Sequence, residues 1–540
     1  MTKFPTSQHA VQLIGPDKLA LNTSKPVPTP GPHEILLQVE AVGLCFSDLK
    51  LLKQFDSHPR KSDVVSGIDQ DILASIQSYV PNDKPVVPGH EAVCHIVAVG
   101  DQVEHHQVGE RCLVQTDYRQ LPTASSNAAF GYNFEGALQE YTLVDERVVI
   151  DTDGERFLIP ASSKKSASAV ALVEPWACVE DSYVNKERNH IKADGRLLVV
   201  LDEGREAVGL QESMTDPPAE MQTAEPADVG GLPDDTYDDI VYYGSDKQTI
   251  ELLNDKLTTM GIINIVLDGE TIGELVSVGV GRVHYGMTRW IGTTGNDASK
   301  SYEVIPADGE IRPQDKVLVV GAGGPMGQMH VIRNICLGIP GISVVGADHH
   351  DNRIESLLTK VEPLAKTNGV PLRLVNTHRN PIEESFSYFA LMAPLGELVA
   401  SAIDAAEEGA IINIFAGIPA GTKHELDLDR YIGQRCFMFG TSGSTIEDMR
   451  IVLGKLEADQ LDTNSSVDAI SGIHGAIEGI ACVENRSLAG KIIVYPMLHD
   501  LGLIPLAELP KHFPEVAAKL DDGKWTLAAE QELLRQHTSA

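Results

Sequence analysis

No C-x-x-C pair occurs among the seven cysteines (45, 94, 112, 178, 336, 436 and 482) of this 540-residue chain. Scattered and odd in number, they exclude a four-cysteine zinc knuckle and read as free thiols in a reducing cytoplasm. Long apolar runs are missing as well: none approaches the roughly 20 residues that span a bilayer. The opening stretch, MTKFPTSQHAVQLIG, has no basic segment followed by an apolar one, so no secretion signal is expected. Positive charge is scarce. Lys and Arg number 43 against 77 Asp and Glu, a net charge of −34. That balance argues against DNA, RNA or an anionic membrane as a partner, and otherwise serves solubility.

What is present is a folded, multi-domain chain. Hydrophobic residues make up 42% and charged residues 22%, and the length suits about three to four domain-sized units. Up to about residue 190, short β-rich runs such as EILLQVEAVGL, EAVCHIVAVG and EYTLVDERVVI alternate with Gly and Pro turns, which predicts a compact β barrel or sandwich. Residues 203–239, acidic and rich in Pro and Gly, read as a long surface loop. After QDKVLVV the texture changes to strands alternating with helices, the pattern of a parallel α/β sheet. The last stretch, AELPKHFPEVAAKLDDGKWTLAAEQELLRQ, reads as amphipathic helix.

One segment resembles another. Residues 261–295 and 409–443 both carry an Ile-Ile-Asn-Ile strand, and Arg282 to Gly295 matches the spacing of Arg430 to Gly443. The expectation is two related α/β modules in tandem, at 191–310 and 311–455, between a first domain at 1–190 and a closing part at 456–540. Only the second module has a glycine loop. There VLVV runs into Gly321-Ala322-Gly323-Gly324-Pro325-Met326-Gly327 before a helix, so backbone amides and a helix N-terminus can take a pyrophosphate. A second strand ends at Asp348, about 20 residues on, where an acid can bond a ribose hydroxyl and favour NAD over NADP. Arg353 keeps NADP open but sits too far along the chain to reverse that preference. The first module offers LLVVLDEGREAVG instead, whose Asp202, Glu203 and Glu206 would repel a pyrophosphate; it reads as a degenerate copy.

Chemistry is suggested by three separated residues. Cys45 lies in GLCFSDLK, His90 and Glu91 open the strand of VVPGHEAVCHIVAVG, and Glu174 lies in ALVEPWACVEDSY. An imidazole beside a carboxylate is costly to bury without partners. A thiolate, an imidazole and a carboxylate with one open position form a catalytic zinc set. Taken singly, each has an ordinary reading: a buried cysteine, a satisfied core histidine, a helix-capping glutamate.

Together and in this order, the motifs GPHEILLQVEAVGLCFSDLK, VVPGHEAVCHIVAVGDQVEHHQVGERC, GALQEYTLV, VEPWACVEDSYV, VLVVGAGGPMGQMHV and SLAGKIIVYP resemble the zinc-dependent medium-chain dehydrogenase/reductase family, on its sorbitol and threonine dehydrogenase branch. The resemblance implies a GroES-like β-rich catalytic domain built from both chain ends, a Rossmann-type doubly wound parallel sheet between them, and an active site in the cleft. It implies Cys45, His90 and Glu174 as zinc ligands, Glu91 as a fourth or exchanging ligand, and Ser47 as the hydroxyl on the substrate oxygen. Gly321, Gly323, Gly324, Gly327 and Asp348 would hold NAD.

The departures are informative. The stretch after GERC contains no cysteine, so one catalytic zinc and no structural zinc is expected. Lys50 stands where relatives often have a proton-relaying histidine, and the module at 191–310 has no counterpart in ordinary members. Tyr132 and Phe134 are candidates to line the pocket. The expected activity is hydride transfer between NAD and a secondary alcohol, a polyol or sugar alcohol. The alternatives are a sugar-phosphate reductase, an NAD-using epimerase or eliminase on the same scaffold, or a non-catalytic dinucleotide-binding protein. A homo-oligomer is an open expectation, with the internal repeat taking the place of a dimer partner.

Overall fold

The computed structural model describes residues 4–538. The chain divides into two units, 1–177 with 444–540, and 178–443.

The first unit is organised by one long strand, Glu34–Gly43, with apolar residues on both faces. On one side it pairs antiparallel with Glu91–Val99, which pairs onward with Arg111–Val114 and that with Leu158–Pro160. Tyr141–Asp145 pairs with Glu34–Gln38 along the opposite edge. On the other side Glu34–Gly43 meets Lys491–Tyr495, which lies parallel to Val467–Gly472. Strands some 450 residues apart in sequence (Val42 beside Val494) thus close one eight-stranded sheet. One apolar cluster runs beneath it, joining Val39, Ile96 and Phe130 to Ala469 and Ile492. The last helix, Leu527–Thr538, is anchored to this unit. Buried Glu530 accepts the backbone N–H groups of Ala167 (2.6 Å) and Ser168 (2.9 Å), and the hydroxyl of Tyr495 (2.8 Å). A carboxylate on the first turn of Ala167–Ala171 satisfies donors that a helix start leaves open.

The second unit holds two parallel sheets. The first has five strands in the order Glu220–Ala224, Arg196–Leu201, Tyr237–Tyr243, Leu257–Val266 and Arg289–Thr293. The second has six: Leu372–Asn376, Ser343–Asp348, Lys316–Val320, Phe386–Leu391, Ala406–Asn413 and Phe437–Phe439. In both, the chain winds outward one way and then crosses to the other side of the starting strand. Their likeness reaches single residues. In the first sheet the pairing slips between Tyr237 (opposite Leu257) and Asp239 (opposite Ile262). In the second it slips identically between Phe386 (opposite Ala406) and Tyr388 (opposite Ile411). The two Ile-Ile-Asn-Ile runs follow these slips, and Asn264 and Asn413 are both fully buried.

The sheets share an apolar core, and their last strands meet at Tyr431. Its hydroxyl donates to the Trp290 carbonyl (2.8 Å) and accepts the Met438 N–H (2.9 Å). Beside it, Val276–Val278 pairs antiparallel with His424–Leu426. Arg289 forms a buried fork with Glu187 (2.7 and 2.9 Å) and reaches the Gly440 carbonyl (3.2 Å).

The acidic stretch at 203–239 departs from its reading as loop. It contributes the edge strand Glu220–Ala224, then a short 3₁₀ turn at Pro226–Gly231. An edge strand with one face in water needs few apolar residues, and this one buries little beyond Ala224. Among the described residues, no helix is long and apolar enough to cross a membrane.

Candidate metal and dinucleotide sites

The register of the first sheet puts Gly43 opposite Glu91. A Cβ at Gly43 would lie 2.1 Å from Glu91 Oε2, so only glycine leaves room for this carboxylate. Directly after Gly43 the chain leaves the strand and turns into helix Phe46–Gln54, with Cys45 as its N-cap. The outcome is a convergence: one ligand atom each from Cys45, His90 and Glu91 lies within 4.8 Å of the others.

Two residues absent from the sequence reading hold this cluster. Asp48, buried on the first turn of the helix, accepts the Cys45 N–H with Oδ2 (3.0 Å) and faces His90 Nδ1 with Oδ1 (3.1 Å). One carboxylate therefore fixes both the thiol-bearing turn and the imidazole. Its signal was the Cys-x-x-Asp spacing of a capping box. Lys491, from the returning strand, donates to Glu91 Oε1, with both side chains buried. Burial alone would depress its ammonium, but Glu91 holds its pKa above the usual lysine value. Glu91 Oε2 is buried with no hydrogen-bond partner. An acceptor left so costs about 1–3 kcal/mol, and a cation at the cluster would satisfy it.

The remaining sequence candidates fall around this point. Glu174, on helix Val173–Val184, is not one of the three converging groups. Burial pushes its carboxyl up to about 7; His90 opposes the rise, and the Glu91 and Asp117 carboxylates add to it. Ser47 is half-buried on the first turn of Phe46–Gln54, and Lys50 is exposed on the same helix. Tyr132 lies beside His90 with ring centroids 5.7 Å apart, and burial raises its hydroxyl to about 12. His58 and the Arg60 guanidinium also lie beside the Tyr132 ring, at 5.2 and 5.3 Å. Phe134 packs instead against Tyr79 and Tyr118 in the core.

In the second unit, strand Lys316–Val320 runs into the glycine loop, and helix Pro325–Cys336 begins at N-cap Gly324 with proline in its first turn. A Cβ at Gly327 would lie 2.2 Å from the Gly321 carbonyl oxygen, so glycine alone lets helix and turn approach this closely. Asp348 ends the neighbouring strand, buried, and accepts the Gly323 N–H through Oδ2 (3.0 Å). Arg353 is not distant. Its Cβ lies 2.6 Å from where a Gly323 side chain would begin, because helix Asp351–Asn368 folds back over the loop.

Known proteins bear on both sites. The family model of the alcohol dehydrogenase GroES-like domain matches residues 31–154. The sorbitol dehydrogenase of Bos taurus is 36% identical over 101 residues, 19% of this chain and 22% of that protein. Alcohol dehydrogenase notN of Aspergillus sp. (strain MF297-2) is 28% identical over 132 residues, 22% of this chain and 31% of that protein. The chain thus spans about a fifth to a third of the length of these curated relatives. The crystal structure of 2R,3R-butanediol dehydrogenase from Bacillus subtilis shares the fold, with a TM-score of 0.53 at 13% identity, covering 91% of this chain and 100% of that one. Residues 31–154 thus match an alcohol dehydrogenase GroES-like domain, part of the chain is similar in sequence to sorbitol and alcohol dehydrogenases, and the fold is shared with 2R,3R-butanediol dehydrogenase.

Proposed function

We propose that the chain is a zinc-dependent oxidoreductase that moves a hydride between NAD and a secondary alcohol of the polyol or sugar-alcohol class. The observation that carries this reading is the convergence of half-buried Cys45 with buried His90 and Glu91 around a carboxylate oxygen that has no hydrogen-bond partner. Thiol, imidazole and carboxylate are the donor types zinc takes at catalytic centres. When bound, zinc supplies Lewis-acid polarisation of the substrate oxygen, and NAD supplies the hydride acceptor.

The residues divide the rest of the work. Cys45 and His90 hold the metal, and Glu174 and Glu91 offer the carboxylates that complete or exchange in its shell. Asp48 engages His90 Nδ1 and so leaves Nε2 as the ligand atom. Lys491 pairs with Glu91 where both side chains are buried. Ser47 accepts the proton of the substrate hydroxyl and passes it toward solvent, Lys50 standing one helical turn further on. Gly321, Gly323, Gly324 and Gly327 let the pyrophosphate rest on the helix Pro325–Cys336, and Asp348 takes a ribose hydroxyl. A carboxylate in place of a second thiolate makes the metal pocket polar, which suits vicinal hydroxyls.

Metal analysis with an NAD-reduction screen over polyols, sugars and their phosphates tests the proposal. Cys45→Ser and His90→Ala should each lose the zinc and the activity with the circular dichroism spectrum unchanged. Glu174→Gln and Glu91→Gln should separate the permanent carboxylate ligand from the exchanging one by zinc retention. Wild-type protein that holds no zinc and reduces no NAD with any alcohol in the screen would overturn the reading.

A further inference from the structure

A second group of metal-binding side chains lies far from Cys45 in the sequence, at the carboxyl end of strand Ser343–Asp348. One ligand atom each from Asp348, His349 and His350 lies within 4.8 Å of the others. A third imidazole lies beside them: His378, from the loop after Leu372–Asn376, stacks on His349 with ring centroids 5.2 Å apart and planes 17° from parallel. His349 and His350 are themselves 4.5 Å apart. Asp348 is buried and held in place. Its Oδ1 accepts the backbone N–H groups of His349 (2.8 Å) and His350 (3.1 Å), and lies 3.4 Å from His350 Nδ1. The three imidazoles are exposed. The loop that carries His378 is tied down as well, since its N–H donates to Asn376 Oδ1 (3.0 Å) and the Thr377 N–H donates to the Asp348 carbonyl (3.0 Å).

A solvated loop explains one exposed histidine. It does not explain two imidazoles converging with one immobilised carboxylate while a third, from another strand end, stacks beside them. Imidazole nitrogens with a single carboxylate oxygen are the donors that zinc, nickel and copper prefer, and this mixture does not suit magnesium or calcium.

We infer that Asp348, His349, His350 and His378 form a site for a divalent transition metal whose occupancy excludes the dinucleotide. The exclusion follows from a shared atom. Asp348 is the group proposed above to take the ribose hydroxyl, and a metal drawing on its carboxylate stands where the ribose must lie. Linkage makes the effect mutual: metal weakens dinucleotide binding by the factor by which dinucleotide weakens metal binding. The metal site stands on its own geometry, whereas the exclusion rests on the dehydrogenase reading.

The test uses the full chain carrying Cys45→Ser, so that the thiolate site does not contribute. Zinc is titrated calorimetrically, and NADH binding is followed by its fluorescence with and without zinc. Expected are one zinc site per chain, weakened at least tenfold by the pair His349→Ala and His378→Ala, and an NADH affinity that zinc lowers at least fivefold only while those histidines are present. Both histidines are exposed, so the pair should leave the urea unfolding midpoint in place. Zinc affinity unmoved by the pair would overturn the site. So would a pair that leaves zinc binding alone but weakens NADPH tenfold, which would make the imidazoles a phosphate contact. If NADH does not bind at all, the dehydrogenase reading fails, and the zinc titration still decides the metal site.

Discussion

Two parallel sheets stand side by side in residues 178–443, with the same strand order on one flank and the same slip in pairing, yet their first turns differ. In the second sheet Val320 leads into glycines and the helix Pro325–Cys336. In the first, Leu201 leads into Asp202, and no α-helix follows before Lys247. Asp202 is engaged by its own module, accepting the Tyr242 hydroxyl (2.8 Å). Arg205, the nearby cation, is paired with Asp268 and Glu270. The anion site of such a sheet is made by a helix N-terminus together with glycine amides. In the first sheet no α-helix follows the turn, and its glycines, Gly204 and Gly209, stand apart with Glu203 and Glu206 among them. The difference teaches that apolar patterning specifies the sheet while a single turn specifies the ligand, so the frame survives when the turn changes.

The largest effect should come from breaking the contact between the sheets. Arg289→Met leaves Glu187 charged and buried without its partner, at a cost of about 3–5 kcal/mol. Urea unfolding of the 178–443 unit should shift as one transition, because Arg289 lies in the edge strand of one sheet and reaches Gly440 beyond the edge strand of the other. Two separate transitions would break the picture of a shared core.

Next comes the ligand asymmetry. Gly327→Val should weaken NADH about a hundredfold or more by forcing helix and turn apart, whereas Gly204→Ala in the first module should leave NADH within twofold. Fluorescence titration reads both, and calorimetry should count one dinucleotide per chain. Two equivalent sites would end the idea of a degenerate copy.

Tyr431→Phe should cost about 1–3 kcal/mol, since it strands the Trp290 carbonyl and the Met438 N–H. A fall in the urea midpoint with NADH affinity unchanged would assign the tyrosine to the seam alone.

The smallest effect concerns acid. His330, on the helix that only the second module possesses, is fully buried against Tyr183, and burial with Arg333 nearby lowers its pKa to about 3. A histidine held neutral stabilises the fold above its unfolded pKa of about 6.5, and that contribution is lost as pH falls from there toward 3, at no more than about 1.4 kcal/mol per pH unit. His330→Gln should flatten the fall in stability between pH 6 and 4, measured by urea unfolding at each pH.

The sequence carried these features unevenly. The repeat was visible because Ile-Ile-Asn-Ile is an apolar strand with a polar residue at one fixed place, and strand patterning survives in one dimension. The glycine loop was visible because a close approach restricts residue type. Asp48 and Lys491 were hidden for different reasons. Asp48 acts through the geometry of one helical turn, where an acidic residue ordinarily signals only a cap. Lys491 meets Glu91 across 400 residues, a pairing that no local pattern announces. Strand Glu220–Ala224 was missed because half-exposed edge strands share the composition of loops. The distance of Arg353 from the glycine loop was misjudged because position along a helix does not give position over a neighbouring turn.

The closure of the first sheet by Lys491–Tyr495 has a consequence for biosynthesis. A ribosome adds about 5–20 residues per second, so Glu91 leaves the tunnel about 20–80 seconds before the lysine that neutralises it. Through that interval the Val42–Gly43 end of strand Glu34–Gly43 lacks its partner, and the nascent chain exposes the apolar surface later covered by Ala469 and Ile492. Residues 178–443 emerge whole in the meantime and can fold as a unit. The order of maturation is therefore inside first and ends last, and a chain released before Val467 would present an unpaired sheet edge to its neighbours.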